Sequence, residues 1–190
     1  MRITLSLTAF IVLLTLVFVT GCGIKPRPQS YKGLAPKMKT IASGDGYLID
    51  IPVDWIEVTN NKSIDASGVS DLMFSRREGG SDMPTEENAA TAIEPIPRGM
   101  TIKQYTTITS DKLRKGVMKA TIISMTPFQG CLSGSKLVYS AKIGTYNFNA
   151  VAYMFLANQK AYVFSGGSSD KNFVIYESTY DQMARSFRWK

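Results

Sequence analysis

The chain has 190 residues, 44% of them apolar, and its 22 basic against 15 acidic side chains give a net charge of +7. That length builds one domain with a real core and is short for two. The absence of histidine excludes Ser–His–Asp and Cys–His catalysis and any imidazole metal site.

Met1-Arg2 supplies one positive charge, and Ile3 to Val19 is an apolar run softened only by Thr4, Ser6, Thr8 and Thr15. These are the parts of a secretory signal. The alternative is an uncleaved transmembrane anchor, because the run is about the length that crosses a bilayer, roughly 18 to 20 residues. Gly21 before Cys22 suits a peptidase pocket, and Gly23, Pro26 and Pro28 after it forbid helix continuation, so cleavage is favoured. Val19-Thr20-Gly21-Cys22 resembles a bacterial lipobox. The resemblance implies that Cys22 heads the mature protein, its thiol carrying diacylglycerol and its freed amine a fatty acid such as palmitate. At about 0.8 kcal/mol per buried methylene, two or three such chains anchor essentially permanently. Gly23, rather than Asp, follows the cysteine. By analogy with enteric bacteria this points to the outer membrane, facing the periplasm, with the plasma membrane as the alternative.

Residues 1–21 are thus read as the signal peptide. Taking those 21 from the 190 leaves 169 residues, and losing the one leader arginine takes the side-chain charge from +7 to +6. For an exported chain nucleic acid is not the expected partner; anionic envelope surfaces or acidic proteins are. With Cys22 consumed by lipid, Cys131 has no intramolecular partner. It reads as a small buried hydrophobe, with a reactive thiol as the sharper alternative. Residues 22–44 read as a tether, with Pro26, Pro28, Pro36 and Gly33, and with Lys25, Arg27, Lys32, Lys37 and Lys39 unopposed by any acid through Thr40. Prolines keep such a segment extended. Its charge either holds anionic head groups or only solvates a linker.

The folded domain is expected over residues 45–190. Tyr47, Ile49 and Ile51 alternate with Leu48 and Asp50, which predicts a strand stopped by Pro52. Asp54-Trp55 opens a short strand at Ile56-Glu57-Val58, closed by Asn60-Asn61, and another is expected around Leu72-Met73-Phe74. Glu78 to Arg98 reads as a long polar loop. Its Asp82, Glu86, Glu87 and Glu94 are either solvated or a calcium site of no known spacing. Thr101 followed by Gln104 forms a capping box, and Lys112, Arg114, Lys115 and then Gly116 close a helix over 101–115. Its apolar face holds Ile102, Tyr105, Ile108 or Thr109, and Leu113.

Strands are predicted at 119–126, ended by Pro127, and at 135–143, with Gly144-Thr145 as the turn. In the strand at 146–157 both faces are apolar, Tyr146, Phe148, Ala150, Ala152, Met154 and Leu156 on one, Val151, Tyr153, Phe155 and Ala157 on the other. It must be covered on two sides. Asn158-Gln159 turns the chain into a strand at 160–165. Gly166-Gly167-Ser168-Ser169-Asp170 is expected to break the sheet and cap a helix at 171–186 that carries Phe173, Tyr176, Tyr180, Met183 and then Phe187. The fold class is α+β, an antiparallel sheet flanked by helices.

Tyr47 to Trp55 with its proline, a capped mid-chain helix, four antiparallel strands and a helix ending in Ser186-Phe187-Arg188 together resemble the PsbP/DcrB-like α/β/α sandwich. The resemblance spans about residues 45–190 and implies a non-enzymatic module. Members include extrinsic photosystem II subunits, small envelope lipoproteins and a nuclear import factor that binds a GTPase. Metal sites of the photosynthetic members use histidine, so they do not carry over.

The remaining motifs carry little chemistry. Gly166 to Ser169 lacks the spacing and lysine of a phosphate loop and reads as a cap. Tyr146, Phe148, Tyr153 and Phe155 read as core ahead of a ligand pocket. A Ser–Lys pair stays open, although no serine occupies a nucleophile-elbow context. No catalytic residue, metal or cofactor is expected. The favoured function is a membrane-anchored, non-enzymatic protein-binding or assembly module held by Cys22. The alternative is a small-ligand carrier or an enzyme with an unrecognised pocket on the same anchor.

Overall fold

The structure, a computed structural model, describes residues 36–58, 70–77, 84–116, 119–143 and 146–190. Val19, Thr20, Gly21, Cys22 and the tether to residue 35 lie outside them, as do Asn60, Asn61, Asp82, Gly144 and Thr145. Among the described residues no helix is long and apolar enough to cross a membrane.

In chain order the first half gives β1 (Met38–Ala42), β2 (Tyr47–Pro52), β3 (Trp55–Glu57), β4 (Ser70–Arg77), β5 (Pro84–Pro95) and α1 (Ile102–Lys115). The second half gives β6 (Thr121–Gln129), β7 (Ser133–Ile143), β8 (Tyr146–Ala157), β9 (Lys160–Ser169), α2 (Asp170–Arg185) and β10 (Arg188–Trp189). Seven strands form an antiparallel sheet in the order β3-β4-β5-β9-β8-β7-β6, and β1-β2-β10 form a second, three-stranded one.

The two-faced strand β8 sets the layers. Its Phe148, Ala150, Ala152 and Met154 pack with Tyr105 and Leu113 of α1 and with Leu137, Tyr139 and Val163. Its Val151, Tyr153 and Phe155 join Phe173, Tyr176, Tyr180 and Met183 of α2, and Tyr47, Ile49 and Ile51 of β2. Because successive strand residues point to opposite faces, α1 covers one side of the large sheet, and α2 with the small sheet covers the other. The α+β expectation and the helix on each face are both observed.

Local chemistry explains the elements that match. Thr101 Oγ1 accepts from the Gln104 N–H at 3.2 Å and Gln104 Oε1 accepts from the Thr101 N–H at 2.9 Å, closing the capping box. Thr109, not Ile108, completes the buried face of α1. Asn158 and Gln159 have φ of 50° and 58°, the pair of left-handed residues a two-residue hairpin of type I′ requires.

Four expectations are corrected. The tether does not reach residue 44: Met38–Ala42 pairs antiparallel with β2, and Met38 and Ile41 pack against the core. The polar loop at 78–98 contains instead the twelve-residue strand β5, hydrogen-bonded between β4 and β9. Its buried positions are small or hydrogen-bonded polar residues, so no apolar run announces it: Glu87, Asn88, Ala89, Ala90, Thr91 and Ala92. Pro127 does not end β6, which runs on to Gln129 as an edge strand where a missing N–H costs no ladder bond. Gly166 and Gly167 do not break the sheet; β9 continues through them to Ser169. A Cβ on Gly166 would lie 2.3 Å from the Tyr180 ring, so glycine is required there for α2 to lie against the strand. Ser169 precedes α2 without a side-chain cap bond.

Candidate functional site

Three phenols and a lysine, each largely buried, tie elements together. Tyr47 donates from its hydroxyl to Asp71 at 2.5 Å and contacts Thr91 Oγ1 at 2.6 Å, and Ser43 also donates to Asp71. This network links β2 to β4 and β5. On the α2 side Lys136 Nζ reaches Glu177 and Asp181, each at 2.9 Å, while the Tyr153 hydroxyl donates to Asp181. On the α1 side the Tyr105 hydroxyl donates to Glu94. Burial foremost, reinforced by those carboxylates, pushes the phenols of Tyr47, Tyr105 and Tyr153 far above the ordinary 10.0. Burial pulls the Lys136 ammonium down, but its hydrogen bonds to Asp181 and Glu177, and their negative charge, outweigh it, and the net displacement is upward. At neutral pH these phenols are neutral and this lysine is charged, the states in which they make these bonds.

The motifs singled out in the sequence are dispersed. Glu87 holds Asn172 of α2 at 2.8 Å, whereas Glu94 holds Tyr105 of α1. The two carboxylates therefore serve opposite faces of β5. Among the described residues no group of three or more His, Cys, Asp or Glu is placed to hold a metal. Phe148 belongs to the α1 cluster and Tyr153 and Phe155 to the α2 cluster, all at most 1% exposed, so they are core. Cys131 is corrected: it is exposed, at the tip of the β6–β7 hairpin. That tip is pinned to the end of α2, with the Cys131 N–H donating to Arg185 O at 2.9 Å and Arg185 Nη1 donating to Gln129 O at 2.5 Å.

Among the described residues, no strand pairs with the outer edge of β6. The opposite edge strand, β3, has three residues and ends in Glu57, a protected edge. β6 has nine residues and no charged one. Its register slips between Ile122 and Ser124, which leaves Ile123 as the extra residue of a bulge. Ile123 is 57% exposed and Met125 46%. Met125 pairs with Leu137, whose side chain lies in the α1 cluster, and so Met125 projects on the α1 side. Sequence reasoning placed the strand but not its position at the rim; a proline inside an uncharged strand was the available signal.

No protein-family model matches the chain, and a search of curated proteins matches nothing. Solved structures do match. Cyanobacterial PsbP (CyanoP) from Synechocystis aligns with a TM-score of 0.61 at 20% identity, over 90% of this chain and 99% of that one. The Ran-binding protein Mog1p of Saccharomyces cerevisiae aligns with a TM-score of 0.57 at 11% identity, over 82% and 96%. LpqN of Mycobacterium tuberculosis, described as involved in cell envelope biogenesis, aligns with a TM-score of 0.55 at 9% identity, over 80% and 89%. The fold is PsbP-like.

Proposed function

We propose that this chain is an envelope lipoprotein, anchored through Cys22, whose PsbP-like domain is a non-enzymatic accessory module that docks a protein partner along β6. The carrying observation is the uncharged nine-residue edge with Ile123 and Met125 exposed. Such an edge accepts an added strand: main-chain bonds supply affinity and alternate side chains supply selectivity. Two proteins of the same fold are described by a binding partner or an envelope role, Mog1p by Ran and LpqN by envelope biogenesis, which supports a module of this class. The lipobox resemblance of Val19-Thr20-Gly21-Cys22 supplies the anchor, facing the periplasm from the outer membrane.

A photo-crosslinking amino acid at position 123 or 125 in intact cells tests the docking. Recovery of one stoichiometric protein is expected, lost when Met125→Lys places a charge on the edge; equal, unselective capture from position 53 would overturn it. Clickable palmitate tests the anchor separately. Incorporation into the wild-type chain and none into Cys22→Ser is expected, and an unlabelled wild type ends the lipoprotein reading.

A further inference from the structure

Charge in this chain is segregated. Residues 96–120 contain Arg98, Lys103, Lys112, Arg114, Lys115 and Lys119 against Asp111 alone, a net +5. The remaining residues from 36 onward carry 12 basic and 14 acidic side chains, a net −2. The basic stretch is α1 with its two flanking connections, and α1 lies on the side of the large sheet away from α2 and the small sheet, where Glu94, bonded to Tyr105, is a further acid. Arg98, Lys103, Arg114, Lys115 and Lys119 are exposed and Lys112 is half-buried. Asp111 pairs with Arg114 at 3.5 Å.

Complementing the helix dipole accounts for Lys112, Arg114 and Lys115 in the last turn. It does not account for Arg98, Lys103 and Lys119, which lie outside that turn. Ile108, Lys112 and Lys115 follow at i, i+4 and i+7, one outward stripe on which Ile108 is 38% exposed. The α2 face differs: Asp170, Glu177 and Asp181 are interspersed with Lys171 and Arg185, and two of those acids hold Lys136.

We propose that the α1 face docks on an anionic lipid bilayer, with Ile108 entering the head-group boundary and the surrounding lysines and arginines meeting lipid phosphates. Charge complementarity argues for this occupant: exposed cations on and flanking a helix with an exposed apolar side chain fit a fluid anionic surface. The chain also permits it. The fifteen residues from Gly23 to Lys37 span at most about 50 Å. β1, where the domain begins, is two layers from the α1 face, roughly 20 Å. This reach rests on the Cys22 anchor; the charge segregation does not. With α1 against the leaflet the sheet lies roughly parallel to the membrane, and the β6 edge stays open sideways to a protein.

The test uses the full chain with a fluorescent amino acid at position 108 or 174, in vesicles of phosphatidylcholine alone or with phosphatidylglycerol, both containing a lipid-borne quencher. Position 108 is expected to be quenched in anionic vesicles only, and released by high salt, while position 174 on α2 is unaffected. Lys103→Gln/Arg114→Gln/Lys115→Gln lowers the ratio of docked to undocked domain roughly 100-fold. Arg98→Gln/Lys103→Gln/Lys119→Gln, which spares the last turn of α1, gives the same loss if the first variant unfolds. Flotation of the chain with neutral vesicles reports the anchor independently. Chain that floats without quenching at 108 overturns the docking and keeps the anchor. Chain that is quenched at 108 in anionic vesicles without floating in neutral ones keeps the docking and overturns the anchor. No flotation and no quenching overturns both. Crosslinking from position 108 to an acidic protein in cells, without lipid quenching, overturns it in favour of a protein surface.

Discussion

Two neighbouring glycines show how much a single hydrogen can decide. A Cβ at Gly166 would stand 2.3 Å from a Tyr180 ring held in the middle of α2, whereas one at Gly167 meets nothing nearer than 3.5 Å. Neither has a positive φ, so backbone conformation does not separate them. Gly166→Ala should therefore destabilise by about 1–3 kcal/mol through overpacking. A melt would read that as a drop of about 2–4 °C per kcal/mol. Gly167→Ala should be neutral or slightly stabilising, and equal losses at both sites would refute the close-approach argument. Five tyrosines, Tyr47, Tyr105, Tyr139, Tyr153 and Tyr180, make a second statement at this scale. Burial comes first in raising each of them above the ordinary 10.0. In the unfolded chain they ionise near that ordinary value, so at higher pH the folded state binds more protons than the unfolded one. The stability is whole below pH about 10 and falls as pH rises toward the raised folded values, by about 1.4 kcal/mol per pH unit for each tyrosine. Urea midpoints measured on either side of pH 10 should show that loss, with phenol ionisation coinciding with unfolding. Ionisation of all nine tyrosines in a chain that keeps its native circular dichroism would contradict it.

At the scale of elements, the β8–β9 hairpin offers the most direct manipulation. Gln159 has a φ of 58°, which a side chain resists and glycine adopts freely. Gln159→Gly converts the turn to Asn-Gly and should raise stability by about 0.5–1 kcal/mol; a lower melting temperature would mean the turn is not of type I′. The same hairpin was legible in the sequence because its two residues and the alternating Tyr162 and Phe164 are local signals. Both helices were legible for a similar reason: the capping box at Thr101 and the three- and four-residue spacing of Phe173, Tyr176, Tyr180 and Met183 belong to single segments. The strand β5 was not. Its buried positions, Glu87, Asn88, Ala89, Ala90, Thr91 and Ala92, are chosen by neighbours distant in the chain, such as Tyr47 and Leu72, which bond Thr91 Oγ1 at 2.6 and 3.0 Å. Tertiary context overrides composition at such a strand. Gly166 misled for the same cause, since the residue that requires glycine there, Tyr180, is brought to it only by the packing of α2 on the sheet.

For the whole molecule, the sequence disclosed the layers but not the rim. The two-sided apolarity of residues 146–157 demanded a cover on each face, and α1 and α2 supply them. Which strand ends the sheet depends on pairing order, so the candidate edge at β6 became visible only with the topology. Closure of the small sheet was equally hidden, because it joins the two ends of the domain. Phe187 is 1% exposed and stacks on Tyr47 at 4.5 Å and on Phe155 at 5.0 Å, holding the small sheet against the large one. β10 follows at once and pairs with β2, Arg188 opposite Leu48 and Trp189 opposite Tyr47. Phe187→Ala should therefore cost about 3–5 kcal/mol, because the cavity opens between two sheets that cannot collapse together. The two tryptophans sit at opposite ends of this construction, Trp55 buried in β3 of the large sheet and Trp189 in β10 of the small one. Variants retaining one tryptophan each, Trp55→Phe and Trp189→Phe, can follow the same unfolding. Trp55, Tyr47, Phe155 and Phe187 belong to one continuous cluster, so both probes should report a single, equally lowered midpoint in the Phe187→Ala background. If the Trp189 signal moves first while Trp55 keeps the wild-type midpoint, the small sheet is a separate unit, and the chain's two ends are not what completes the core.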